Sequence, residues 1–229
     1  MNDSNKMIPN SQISVQRRMA EAVSAKMNYD FLCFRGSIMG EAYLGHSISE
    51  ILASFFDQTA CRARNNFAHP VLSSTKKGRK PEIDYVVEYL ANKQVMLAVE
   101  AKWAGSSHCT AENILWDLVR LKALKDSVDH ECGTYFLLAG KREDIDKPFN
   151  AKLFRQGTQS PLIAGSQRKK SFSLSDNRDH QRLIDKQKKI WLEAYSELSI
   201  PEHFKTKLVD DSRSAANNMR FVSRIWEIL

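Results

Sequence analysis

Cysteine is scarce: the 229 residues contain four, Cys33, Cys61, Cys109 and Cys132, all far apart. None forms a CxxC pair or stands at zinc-finger spacing from histidine. This argues against disulfides and structural zinc, and for small buried side chains. Also missing is any apolar run of membrane-spanning length. The first residues, MNDSNKMIPNSQ, have no apolar signal-peptide core, so the expectation is a cytoplasmic chain without a membrane partner. Phosphate-loop and dinucleotide glycine patterns are absent, as are a Ser-His-Asp order and any internal repeat.

What is present is the composition of an ordinary soluble domain, 42% hydrophobic and 27% charged. The length suits one substantial core, and nothing marks a second domain. Charge is uneven. Residues 141–189 hold thirteen Lys/Arg against six Asp/Glu, a surplus equal to the formal +7 of the whole chain. A basic half points to a polyanionic partner, nucleic acid first, although a solvated basic face is the plainer reading.

The chain centres on PEIDYVVEYLANKQVMLAVEAKW, residues 81–103. Two β-branched, apolar strands, 83–90 and 95–103, flank a polar turn at 91–94, the pattern of a hairpin. Strand alternation puts Glu100 and Lys102 on one face and Ala101 on the other. With Asp84 at the start of the first strand, these charges allow two readings. One is a site for a hard cation, with an ammonium to steady water or developing negative charge. The other is an ion pair at the wet end of a sheet, with Asp84 a turn residue.

Around the hairpin, residues 1 to about 12 read as a flexible polar stretch and 14–27 as an amphipathic helix. Residues 37–59 are helical, whole or broken at Gly45-His46. Ser47 and Glu50 fit a capping box there, while Glu41 has no local duty. A strand at 65–72 is pushed to an edge by Pro70. Thr110 caps the clearest helix, 111–128, whose Ile114, Leu115, Leu118, Leu121 and Leu124 recur at three and four. In it Asp117 and Arg120 can pair at i,i+3, with Arg120 facing away from part of the stripe. Residues 133–139 form a buried strand. A short helix is expected within 145–154, a loop over 160–174 with a short strand at its end, and a helix over 179–198. Over 216–229 a strand competes with a helix. Strand, helix, strand implies a crossover, hence an α/β fold with a central mixed sheet flanked by helices.

Asp84, with Glu100-Ala101-Lys102 sixteen residues on, resembles the signature of the PD-(D/E)xK nuclease superfamily. Pro81-Glu82-Ile83-Asp84 supplies its first half, without a proline directly before the aspartate. The resemblance implies one restriction-endonuclease-like domain over 1–229, with its core at about 37–139 and extra C-terminal elements. It implies a Mg²⁺-dependent DNA endonuclease of the restriction or phage-defence kind, with Mn²⁺ as substitute metal. Asp84, Glu100 and the Ala101 carbonyl would hold the ion, Lys102 would orient water or stabilise charge, and Glu41 would join from the first core helix, with Glu50 in reserve.

Arg79, Lys80, Arg168, Lys169 and Lys170 are the candidates for DNA-backbone contacts. A homodimer would supply the two cuts of a double-strand break. Two other readings stand beside this one: a non-cleaving nucleic-acid-binding protein or partner-activated subunit of the same fold, and an interaction protein in which Glu100 and Lys102 merely pair.

Overall fold

Apolar residues at three and four, or at alternate positions, set the elements of this chain. A computed structural model describes residues 14–72, 81–155, 169–174, 178–194, 200–212 and 219–229. Helix α1 (Val15–Leu32) begins where the Ser14 side chain accepts from Arg17 N–H, and it buries Met19, Val23 and Met27. Helix α2 (Glu41–Phe55) runs unbroken through Gly45. A Cβ there would lie 2.7 Å from the Tyr85 hydroxyl, so the glycine allows a close helix–sheet approach. The expected capping box is absent. The Ser47 hydroxyl donates to the Tyr43 carbonyl, and Glu50 pairs with Lys26 at 3.2 Å, because the helix starts six residues before Ser47.

Strands β1 (Cys61–Ala68), β2 (Glu82–Tyr89) and β3 (Val95–Ala104) form an antiparallel meander. Helix α3 (Ala111–Ser127), capped by Thr110, carries the chain to β4 (Gly133–Lys141), which lies parallel to β3. Two 3₁₀ turns, Lys147–Asn150 and Lys152–Phe154, replace the single helix expected there. The remaining elements are β5 (Lys169–Ser173), α4 (Arg178–Ala194), β6 (His203–Asp211) and β7 (Phe221–Ile228). They extend the same sheet to seven strands, in the order β1-β2-β3-β4-β7-β6-β5. The C-terminal ambiguity resolves as a strand: β7 pairs with β4 along seven residues and is buried on both faces.

Helices cover both faces. Leu97, Val99 and Ala101 of β3 pack with α1 and α2. Ala98 and Ala104 pack with the leucine stripe of α3, and Glu100 and Lys102 share their parity. Each buried leucine contributes about 1.5–3 kcal/mol. Helix α4 joins through Trp191, stacked on Trp116 with centroids 5.2 Å apart. Of the cysteines, Cys61 and Cys132 are buried as expected, Cys109 is half-buried, and Cys33 is exposed. Among the described residues no helix is long and apolar enough to cross a membrane.

Just beyond β1, His69 ties the meander to α3. Its Nδ1 accepts from the backbone N–H groups of Val71 and Leu72, leaving Nε2–H to donate to the Arg120 carbonyl at 3.1 Å. Burial holds this imidazole neutral, with its pKa lowered to about 4. A depressed histidine contributes stability above the unfolded value near 6.5 that is lost as pH falls toward 4. About 3 kcal/mol of stability should therefore disappear across that window. Urea unfolding at stepped pH checks this: the slope should flatten in His69→Gln.

Candidate active site

Continuing the β2–β3 register one residue past Tyr85↔Val99 would set Asp84 opposite Glu100. The ladder instead stops there. The strands part, and the Asp84 carboxylate takes over, its Oδ2 accepting from Ala101 N–H at 2.9 Å. Backbone N–H and C=O of one strand residue point to the same edge. The Ala101 carbonyl therefore faces the same gap. Its side chain points to the opposite layer, among the α1 and α2 residues.

Glu100 is fully buried, and Arg120 of α3 reaches it at 3.0 Å. The same guanidinium donates to the Glu82 carbonyl and to Asp117 Oδ1, each at 2.5 Å. It thus ties β2 and β3 to α3. Lys102 does not pair with Glu100. Its Nζ lies 2.9 Å from Asp117 Oδ2. The Asp117–Arg120 pair anticipated from spacing is present, but it faces inward, with the Asp117 side chain 2% and the Arg120 side chain 11% exposed. Arg120 turns inward because two buried carboxylates need a cation.

Burial and the Asp117 carboxylate push the Glu100 carboxyl well above the ordinary range, against the pull of Arg120. Burial raises Asp117 in the same way. Burial also works against the Lys102 ammonium, but Asp117 and Asp84 outweigh it and hold its pKa above that of a free lysine. Lys102 is therefore a fixed cation, suited to stabilising negative charge and not to removing a proton.

Asp84, Glu100, Ala101 and Lys102 are thus brought together at one end of the sheet, with Asp117 and Arg120 added. Glu41 lies exposed in the first turn of α2. Its charge helps raise the Tyr85 phenol and the Cys109 thiol, behind the larger effect of burial, so it belongs to the rim. Glu50 is engaged elsewhere. Lys169 and Lys170 sit on edge strand β5, five strand spacings from β2. At ~4.8 Å per spacing that is about 24 Å, so they do not line the site. Arg79, Lys80 and Arg168 lie outside the described residues, as do residues 1–13, where a flexible stretch is expected.

Among the described residues, no group of three or more His, Cys, Asp or Glu side chains is arranged to hold a metal ion. The donor set still fits a hard ion in kind. Neither Glu100 oxygen receives a well-directed hydrogen bond, Asp84 stands beside it, and a carbonyl faces the gap. Mg²⁺ characteristically takes one or two carboxylates and keeps several waters. Asp117 and Arg120 left only a faint signal in the sequence: an i,i+3 charge pair within the apolar helix that follows E-x-K. No family model, curated protein or solved structure matches this chain.

Proposed function

We propose that this chain is a metal-dependent nuclease hydrolysing phosphodiester bonds in DNA, on a restriction-endonuclease-like core. The observation that carries the reading is the end of the β2–β3 ladder at Tyr85↔Val99, where Asp84 accepts from Ala101 N–H next to Glu100, whose buried carboxylate lacks a hydrogen bond, with Lys102 on the same face as Glu100. The helix, three strands, helix, strand order from α2 to β4 supports the same fold.

In this reading Asp84, Glu100 and the Ala101 carbonyl would hold Mg²⁺, and Asp117 steadies Lys102. The ion, when bound, would polarise the scissile phosphate and acidify a water. Lys102 would donate to a phosphate oxygen as its charge grows, and its raised pKa keeps it protonated throughout. Arg120 would release Glu100 to free it for the ion, remaining on Asp117 and the Glu82 carbonyl. Glu41 would line the approach. A homodimer would place two such sites on opposite strands.

Purified protein should convert supercoiled plasmid to nicked or linear forms with Mg²⁺ or Mn²⁺. Asp84→Asn and Glu100→Gln should each lose that activity while staying folded. Because Glu100 must ionise to bind a cation, activity should rise with pH well above the ordinary carboxylate range. A rate that is flat from pH 5 to 8 would count against Glu100 as ligand.

The grip of Arg120 on Glu100 favours a second reading, a nucleic-acid-binding protein of the same fold that does not cut. It predicts DNA binding that is unchanged by metal and by Asp84→Ala.

A further inference from the structure

Resting on the nuclease reading, the substrate class can be narrowed from the joint between α1 and α2. Tyr29, Leu32, Phe34 and Ile38 are 66%, 75%, 96% and 60% exposed, a concentration of bare apolar side chains unlike the single ones any surface carries. The base of the joint is firmly held. Buried Asp30 accepts from the Tyr43 hydroxyl at 2.5 Å and from Arg35 at 3.0 Å.

Phe34 occupies a position that normally belongs to glycine. Arg35 N–H donates to the Asp30 carbonyl and Phe34 N–H to the Phe31 carbonyl, each at 3.0 Å, which closes α1 in a Schellman motif. Phe34 is the left-handed residue of that motif, with φ at 59°. An aromatic in this conformation is uncommon, and this one buries nothing in return.

The joint lies at the sheet end that carries the candidate active site. Ring contacts of 5.5 Å from Phe31 to Phe221 and 6.0 Å from Phe221 to Trp103 connect it to the residue after Lys102. Arg220 lies over the Phe31 ring at 4.6 Å. Beside it, Lys141, Arg142, Glu143, Met219 and Arg220 line an open groove of about 440 Å³. Three cations against one carboxylate suit a polyanion, and Phe34, three residues along the chain from the Phe31 ring that Arg220 covers, offers an exposed ring to a base that is not already stacked in a duplex.

We propose that this sheet end binds nucleic acid carrying unpaired bases. Phe34 stacks on an unpaired base, and Lys141 and Arg220 contact flanking phosphates. The nuclease then acts on single strands or at junctions of single with double strand, in preference to uninterrupted duplex.

Fluorescence anisotropy in EDTA, with a labelled single-stranded DNA oligonucleotide and its blunt duplex, tests this apart from catalysis. Phe34→Gly should raise Tm, because glycine relieves the left-handed backbone. It should weaken single-strand binding by about 5- to 100-fold and change duplex binding less than about twofold. Phe34→Trp should bind single strands as tightly as wild type. Unchanged single-strand binding in Phe34→Gly would overturn the proposal. So would a wild-type dimer that Phe34→Gly converts to monomer in sedimentation, since a second copy would then cover the joint. Binding that behaves as described in a protein that never cuts DNA would sink the nuclease reading alone.

Discussion

Arg120→Leu is expected to destabilise the fold by about 3–5 kcal/mol, the usual cost of stranding a buried charge. In the wild type one guanidinium faces Glu100, Asp117 and the Glu82 carbonyl. Without it Glu100 can remain in the core only by taking up a proton. A carboxyl whose folded pKa is raised stabilises below its unfolded value, near 4.5, and that stability is lost as pH rises through the folded pKa. The deficit against wild type should therefore be smallest near pH 4.5 and grow toward pH 8. Urea denaturation at both pH values measures it, and Glu100→Gln with Arg120→Leu should recover much of the loss. A deficit below about 1 kcal/mol that ignores pH would mean that Arg120 does not neutralise Glu100.

Lys102→Ala is the second large effect, this time on rate. A preorganised cation aimed at developing negative charge is worth about 10²–10³ in kcat. Lys102 answers that description, held 2.9 Å from Asp117 with its pKa raised. Plasmid cleavage by Lys102→Ala should fall by about that factor, with substrate affinity nearly unchanged. Asp117 keeps Arg120 as a partner, so the variant should remain folded. Lys102→Arg discriminates between charge and shape: its cation persists but cannot seat on Asp117 Oδ2 in the same way, so partial activity is expected. Full activity in Lys102→Ala would remove this residue from the chemistry.

Where local chemistry decides, the sequence was readable. Alternation in 95–104 divides Leu97, Val99 and Ala101 from Ala98, Glu100 and Lys102, and the structure sends these sets to opposite helix layers. The leucine spacing and Thr110 define α3 to within a residue. Partnership across elements was not readable. Nothing in the charge of Glu100 says whether it meets Lys102 two residues away or Arg120 on a helix packed above it. The depth of burial that favours Arg120 arises only once α3 covers the sheet. Ser47 and Glu50 showed the opposite failure, a sound local motif overridden because the helix begins earlier, at Glu41. Phe34 carried no pattern at all, since its left-handed backbone follows from where α1 ends.

A crystal structure of the protein soaked in Mn²⁺, with anomalous scattering used to locate the ion, tests the proposed metal site at Asp84 and Glu100 directly. Mn²⁺ should be found on Asp84, Glu100 and the Ala101 carbonyl, with Arg120 withdrawn from Glu100 and still on Asp117. Glu100 clamped by Arg120, with no ion in the gap at Mn²⁺ concentrations that support DNA cleavage, would contradict it.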